Sequence, residues 1–319
     1  MNTFAIGVDL GATKIKTGAV DTKGNVFDRV AADTKASKGP TTVINQILYT
    51  ISVLCSRCNQ SECMGIGIGA PGVVSLDGNV VSHPPNFSDW TEVDLKDAIS
   101  KVHSLPISVD NDANVAALAE AKYGAGVNQK DFLFVIWGTG VGGGIILDRK
   151  IFHGPSGGAG EIGHISIDYN GPLCNCGNRG CIESYIGQRY LSQRTREILE
   201  AMKINGRTSN IEQLVNGNLD KIEPSIISQA AEQGDQSAIG ILQEAGELLG
   251  YALASVFNVL DLNVAVIGGG ISAAPQFVFQ AIESSTRSRV LKPHQNHIQV
   301  LRANLGNNAG IIGAASLVM

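Results

Sequence analysis

His164, Cys174, Cys176 and Cys181 are residue types that bind a soft divalent cation, and they fall within one short stretch. The spacing Cys-x-Cys-x4-Cys, with Gly177 and Gly180 interspersed, lets the chain fold back on a single ion. Three thiolates and one imidazole make a Cys3His set, the composition of a closed structural zinc site. Four protein ligands leave no open position, which argues against a catalytic zinc. The bland alternative is three buried free thiols beside an unrelated His. A structural zinc site contributes about 10–16 kcal/mol of apparent binding energy in small domains and would pin a loop that has no core of its own. Glu161 and Glu183 bracket the stretch. If one ring nitrogen of His164 holds the metal, the other is free to meet a hydroxyl, with the ring orientation fixed. Carboxylates, amides and a held imidazole are the groups that discriminate the hydroxyls of a sugar.

A second kind of chemistry is written in glycine. The chain has 38 Gly in 319 residues, well above the usual share of roughly 7%. Asp9-Leu10-Gly11-Ala12-Thr13-Lys14 follows a buried-strand pattern, as does Gly138-Thr139-Gly140, and Gly268-Gly269-Gly270 follows a third. A hairpin with Gly at its tip exposes successive backbone N–H groups, and no Cβ blocks a phosphate from approaching. Thr13 and Thr139 add hydroxyls and Lys14 a mobile cation, while Asp9 is suited to a hydrated Mg²⁺. Each loop alone could be an ordinary tight turn; two in equivalent positions and a third after another strand point to nucleotide phosphates. The Gly138–Gly144 run joins strand to strand rather than strand to helix, so it is neither a Rossmann nor a Walker loop.

The elements that must position these groups follow from periodicity. Strands are expected at 4–9, 15–21 and 26–32, with a helix over about 41–58. Strands follow at Cys63–Ala70 and 107–110, and a helix begins in Asp110-Asn111-Asp112-Ala113-Asn114 and runs to about 123. The pattern then repeats about 130 residues later: strand Asp131–Trp137, a Gly loop over 138–144, and a strand from Ile145. Residues 187–258 read as mostly helical, 264–267 as a strand and 306–318 as a closing helix. Alternating strands and helices make this an α/β chain. Two related domains facing a cleft are expected: a smaller one at 1–120 completed by 306–319, and a larger one at 121–305 carrying the zinc loop.

Composition narrows the function. Formal net charge is −5 and no basic stripe is evident, which argues against nucleic acid as a partner. The N-terminus has no basic, apolar signal pattern and no stretch approaches 18 apolar residues, so no membrane span is expected and a cytoplasmic location is. Reduced thiols are then the rule, and close-set Cys read as ligands rather than disulfides. Cys55, Cys58 and Cys63 form a second cluster, better read as core packing than as another metal site because it starts inside a helix. Trp90 reads as packing. His103, His153, His294 and His297 form no usable spacing.

Taken in order, DLGATK at 9–14, APG at 70–72, DNDAN at 110–114, GTGVGGG at 138–144, GEIGH at 160–164, CNCGNRGCIE at 174–183 and GGG at 268–270 resemble the ROK family (repressor, open reading frame, kinase) of sugar kinases and sugar-responsive proteins. The His–Cys–Cys–Cys part is highly specific, the glycine motifs much less so. The resemblance spans nearly the whole chain and implies an actin/hexokinase-like (ribonuclease H-like) two-domain fold with ATP in the interdomain cleft. By motif position, Asp112 corresponds to the catalytic base. Gly72, Asn111, Asp112, Glu161, His164 and Glu183 correspond to sugar contacts. Asp9, Gly11, Thr13, Lys14, Gly138, Thr139, Gly140 and Gly268–Gly270 correspond to nucleotide contacts. His164 with Cys174, Cys176 and Cys181 corresponds to the zinc ligands. Ala12 departs from a common Gly and adds one methyl. Asn86, after the rigid Pro84-Pro85 turn, reads equally as a sugar contact or a plain turn residue.

The implied reaction is ATP-dependent phosphorylation of a hexose with Mg²⁺ accompanying the nucleotide and structural Zn²⁺. Glucose 6-phosphate is the first expected product, with the acceptor hydroxyl taken from analogy. N-acetylmannosamine, N-acetylglucosamine, mannose, fructose and allose are alternatives, and ATP is favoured over polyphosphate. Repressors of the family carry a DNA-binding domain ahead of the first phosphate loop; here that loop starts about eight residues in, so none is expected. A catalytically silent sugar sensor ranks below the kinase because Asp112 and both phosphate loops are present. A homodimer or tetramer is the family-level expectation.

Overall fold

A computed structural model of the chain describes residues 3–319. Three antiparallel strands open it: β1 (Phe4–Leu10), β2 (Lys14–Asp21) and β3 (Val26–Asp33). Helix α1 (Pro40–Arg57), begun by a proline at its first position, leads to β4 (Cys63–Ala70). Short strands β5 (Val73–Val74), β6 (Val80–Ser82) and β7 (Glu92–Asp94) and helix α2 (Leu95–Ser100) precede β8 (Ile107–Asn111) and α3 (Asp112–Tyr123). A second run follows with β9 (Phe132–Trp137), β10 (Val141–Leu147) and β11 (Lys150–Ile151). Helices α4 (Glu183–Ile186), α5 (Gln188–Ile204), α6 (Asn210–Leu214), α7 (Pro224–Glu232) and α8 (Gln236–Leu260) fill the expected helical region. The chain ends with β12 (Val264–Gly268), α9 (Gln276–Arg289), β13 (Gln299–Arg302) and α10 (Ala309–Ser316).

The two larger sheets share one plan. One has the order β3-β2-β1-β4-β8 and the other β11-β10-β9-β12-β13. Each begins as a three-stranded meander whose first strand also borders a later strand; β1, β4 and β8 run parallel, as do β12 and β13. This is the duplication that the repeated strand–Gly-loop–strand pattern predicts. A small sheet, β5-β6-β7, was not foreseen; its strands have two or three residues, too few to show a period.

The chain divides into two compact units. One holds residues up to Phe134, Gly144–Gly160 and Asn304–Met319; the other holds Val135–Gly143 and Glu161–Ala303. Relative to a cut after residue 120, residues 121–134 and 144–160 therefore go with the first unit.

Backbone-to-backbone packing organises the first unit. A Cβ on Gly7 would lie 1.9 Å from the Ile311 carbonyl oxygen, and one on Gly67 would lie 1.7 Å from that of Ala314. Helix α10 thus rests directly on β1 and β4. A Cβ on Gly313 would in turn stand 1.7 Å from the Val115 oxygen, so α3 rests on α10. On the other face of the sheet Ile6, Val8, Ile66 and Ile68 cluster with Ile47, Ile51 and Leu54 of α1, all fully buried. Glu120 of α3 is also fully buried, and its carboxylate accepts from the backbone N–H groups of Ala125, Asn304 and Leu305, at 2.7–3.1 Å. It ties the segment ahead of α10 to α3. In the second unit α8 lies close on α9, where a Cβ at Gly250 would meet Ser285 Cβ at 2.6 Å.

Two expectations need correcting. The loop expected over 138–144 ends at Gly140, and the strand resumes at Val141 rather than Ile145. Glycine composition suggested a loop, but α3 presses on this strand: a Cβ at Gly144 would lie 2.8 Å from Ala117 Cβ. The closing helix starts at Ala309, because Gly306–Asn308 form a 3-10 turn with Gly306 at φ 52°. Among the described residues, no helix is long and apolar enough to cross a membrane.

Replacing Gly67 with Ala forces a methyl into a backbone carbonyl rather than a movable side chain. Overpacking costs typically about 1–3 kcal/mol, and the upper end or more is expected here. Denaturant unfolding of Gly67→Ala checks this; unchanged stability would contradict the contact.

Candidate active site

In the first unit, β8 ends and α3 begins within DNDAN. Asn111 is the helix cap: its Oδ1 accepts from the N–H groups of Ala113 (2.9 Å) and Asn114 (3.2 Å). Asp112 follows as the first residue of the helix, half-buried, with its Oδ1 accepting from the Ala113 N–H at 2.9 Å. The Asn111 amide donates to the Gly72 carbonyl at 2.9 Å, which fixes this turn to the one after β4. Gly72 has φ 88°, and a Cβ there would lie 2.5 Å from the Ser82 oxygen. Gly72, Asn111 and Asp112 are thus brought together. Asn86 is exposed at φ 68° on the loop between β6 and β7. Trp90 packs as expected: it is buried, edge-on to Phe87, and its Nε1 donates to the Val81 carbonyl.

Asp110 escaped the sequence reading. It is buried, and its Oδ1 accepts from the Asn111 N–H (2.7 Å) and Asn114 Nδ2 (3.0 Å). Its Oδ2 lies 2.7 Å from His153 Nε2. The motif DNDAN flagged the segment, but nothing local signals a partner 43 residues on.

The first glycine loop is a tight hairpin, closed by Gly11 N–H to Lys14 O and tied down by Thr34, whose hydroxyl donates to Gly11 O at 2.6 Å. Thr13 and Lys14 are exposed at its tip. The Asp9 carboxylate sits where a Cβ on Gly310 would come within 2.8 Å of its Cγ, against the first turn of α10. Burial holds the Asp9 carboxyl above its ordinary range, and Lys16, 3.6 Å away, partly offsets this.

In the second unit, two glycine loops come side by side. Gly138–Gly140 closes on itself through Gly138 N–H to Gly140 O at 3.0 Å, and a Cβ on Gly138 would lie 3.8 Å from Gly270 N. Gly269, at φ 86°, crosses Trp137 so closely that a Cβ would stand 2.4 Å from the Trp137 oxygen. Thr139, Gly269 and Gly270 are exposed, while Gly268 is buried as the end of β12.

The segment expected to bind metal folds as one knot. Donor atoms of His164, Cys174, Cys176 and Cys181 all lie within 4.8 Å of one another. Cys176 and Cys181 sulfurs are 3.6 Å apart, and Cys174 Sγ is 3.8 Å from His164 Nδ1. Zinc–sulfur bonds of about 2.3 Å make a tetrahedron with edges of about 3.8 Å, so the donors fit such an ion. Gly177 (φ 89°) and Gly180 (φ 69°) supply the reversals the spacing requires. Burial, reinforced by the neighbouring sulfurs, pushes the Cys181 thiol up to about 12, whereas backbone N–H groups pull Cys176 down. Three thiols in this space ionise together only around a cation. His164 turns Nδ1 to the sulfurs and Nε2 towards Glu161, 3.9 Å away. Gly163 lets this turn lean on β10, since a Cβ there would lie 1.9 Å from the Val141 oxygen. Cys55 joins the core, with Cys58 and Cys63 packed against it; among the described residues the three form no metal-competent group.

Glu183 connects the knot to the loop. Its Oε2 accepts from the Val141 N–H at 2.9 Å, and its Oε1 lies 4.0 Å from Cys174 Sγ. Gly140 leaves the room: a Cβ would fall 2.4 Å from Oε2.

Residues 5–319 match the ROK family. This chain belongs to that family. It is 34% identical to a glucokinase of Halalkalibacterium halodurans, over 98% of this chain and 94% of the relative. A crystal structure of a ROK family glucokinase from Streptomyces griseus, in complex with glucose and AMPPNP, superposes with a TM-score of 0.84 at 35% identity, covering 98% of both chains. A xylose repressor of Bacillus subtilis is 28% identical over 99% of this chain and 77% of its own length. The fold is therefore the actin/hexokinase-like one of the ROK sugar kinases.

Gly140→Ala is expected to displace the Glu183 carboxylate and leave the Val141 N–H unpaired, at a cost of about 1–3 kcal/mol. Thermal unfolding reads this; a variant as stable as the parent would mean that the carboxylate does not rest there.

Proposed function

We propose that this chain is an ATP-dependent sugar kinase that converts glucose to glucose 6-phosphate, with Asp112 as general base. The observation that carries the reading is the turn at the head of α3. Asn111 caps α3 and its amide anchors the turn on the Gly72 carbonyl, which fixes the position of Asp112 at the head of the helix. The likeness to glucokinases, among them one solved with glucose and AMPPNP, supports sugar and nucleotide as the substrates.

Asp112 accepts the proton of the 6-hydroxyl as that oxygen attacks the γ-phosphorus; the bond to the β,γ-bridging oxygen breaks and ADP leaves. Phosphoryl transfer is chiefly positioning and charge stabilisation. Gly72, Asn86, Asn111, Glu161, His164 Nε2 and Glu183 are the groups assigned to the remaining hydroxyls. Backbone N–H groups of Gly11, Gly138, Gly140, Gly268, Gly269 and Gly270, with Thr13, Thr139 and Lys14, receive the phosphates. Mg²⁺ held near Asp9 supplies charge neutralisation when the nucleotide is bound. Zn²⁺ in the His164–Cys174–Cys176–Cys181 knot is structural: it fixes the ring of His164 and the carboxylates on either side. A cytoplasmic homodimer or tetramer accompanies the reading.

The likeness to a xylose repressor favours a second reading, a sugar-sensing regulator without turnover. ADP release measured across glucose, N-acetylmannosamine, N-acetylglucosamine, mannose, fructose, allose and xylose separates the two. The kinase releases ADP with the highest kcat/KM on glucose; a sensor binds sugar without release.

Asp112→Asn should lower kcat by roughly 10²–10⁴-fold while calorimetry still detects sugar binding. Near-normal turnover would remove Asp112 from the role. Metal analysis of the purified protein should find one zinc per chain, lost in Cys181→Ser with a fall in Tm.

A further inference from the structure

We propose that His153 is a positioning residue for the reaction, its imidazolium neutralising the buried carboxylate of Asp110 so that the turn carrying Asp112 stays ordered and Asp112 stays ionised. The inference rests on Asp112 as the base, and it concerns two residues outside the ligands assigned above.

The geometry is a short relay within the first unit. His153 Nε2 meets Asp110 Oδ2 at 2.7 Å, and Asp110 Oδ1 holds the Asn111 N–H and the Asn114 amide. Asn111 Oδ1 and Asp112 Oδ1 then share the Ala113 N–H. Every step from His153 to Asp112 is thus a hydrogen bond of 2.7–3.0 Å. Asp110 is only 5% exposed. An ionised carboxylate there is costly unless paired, and one lying unpaired two residues from Asp112 would favour the protonated, inactive form of the base.

Other charged groups near His153 do not take its place. His153 and Asp110 line a cavity of about 460 Å³ together with Asp77, Lys122, Arg149 and Lys150. Asp77 is bound by Ser75 and Asn79, Lys122 donates to the Ser316 carbonyl, and Arg149 donates to the Val127 carbonyl. The Lys150 side chain is exposed. The hydrogen bond to Asp110 raises the His153 pKa above its ordinary value, against the pull of partial burial, so the ring keeps its proton further into the neutral range. Removing the charge has a definite sign: the titration of Asp112 moves up, and the acid limb of activity moves with it.

The test compares wild type, His153→Gln, Asp110→Asn and the double variant, with kcat/KM for glucose and ATP followed against pH. His153→Gln keeps a donor but no charge. Its acid limb should rise by on the order of one pH unit with KM for glucose little changed. The double variant, with no charge to compensate, should return towards wild type. A His153→Gln profile that superimposes on wild type, or a shift that persists in the double variant, overturns the proposal while Asp112 keeps its role. If wild type shows no sugar-dependent ADP release, the kinase reading fails instead. The pair is then read by NMR titration of the His153 ring. Asp110→Asn should lower its midpoint, and an unchanged midpoint overturns the pairing.

Discussion

The first unit depends on bare backbone meeting bare backbone. Gly7, Gly67 and Gly313 let α10 lie on the sheet and α3 lie on α10 with carbonyl oxygens where methyl groups would otherwise stand. Packing this close leaves no slack in the position of α3, and Asp112 is its first residue. A side-chain interface could absorb a shift of a few tenths of an ångström by changing rotamers; a backbone interface cannot. Glu120 extends the constraint by gripping the chain ahead of α10 from the middle of α3. The glycine excess is therefore only partly a matter of phosphate loops. Several glycines build the frame that holds α3 and, at its head, Asp112.

The second unit carries a segment of a different kind. Its knot has two short bridges and little apolar cover: Asn175, Cys176, Gly177, Asn178 and Arg179 are all exposed. Such a segment cannot hold a shape by burial. Donor atoms of His164, Cys174, Cys176 and Cys181 nevertheless lie within 4.8 Å of one another, a set whose spacing suits one cation. Glu183 links this set to β10, since one carboxylate lies between Cys174 and the Val141 N–H.

Much of this was legible in the sequence. The knot could be read because its ligands are local and chemically distinctive: Cys174, Cys176 and Cys181 fall within eight residues. The hairpin strands could be read because their apolar runs are long, and their duplication was implicit in the repeated strand–loop–strand pattern; the short outer strands β11 and β13 of the second sheet were not. Gly142–Gly144 misled because glycine is ambiguous. The same residue marks a loop where the chain turns and a strand where a helix presses close, as α3 does on Gly144. The short strands β5, β6 and β7 carry too few residues to display any period.

What stayed hidden has a common form. Asp110 with His153, and Glu120 with Asn304, are pairings across 43 and 184 residues of chain. Neither partner has a composition that announces it. A lone His in a glycine-rich stretch and a Glu in the middle of an alanine-rich helix both look like solvated residues, and only burial reveals otherwise. Buried carboxylates are costly unless every oxygen is occupied. Finding Asp110 buried therefore forces the question of what occupies its second oxygen, and the answer, His153, changes the electrostatics around Asp112. Local motifs name the candidate site residues. The groups that set the charge state of those residues are chosen by the fold, and they become readable only once the fold is known.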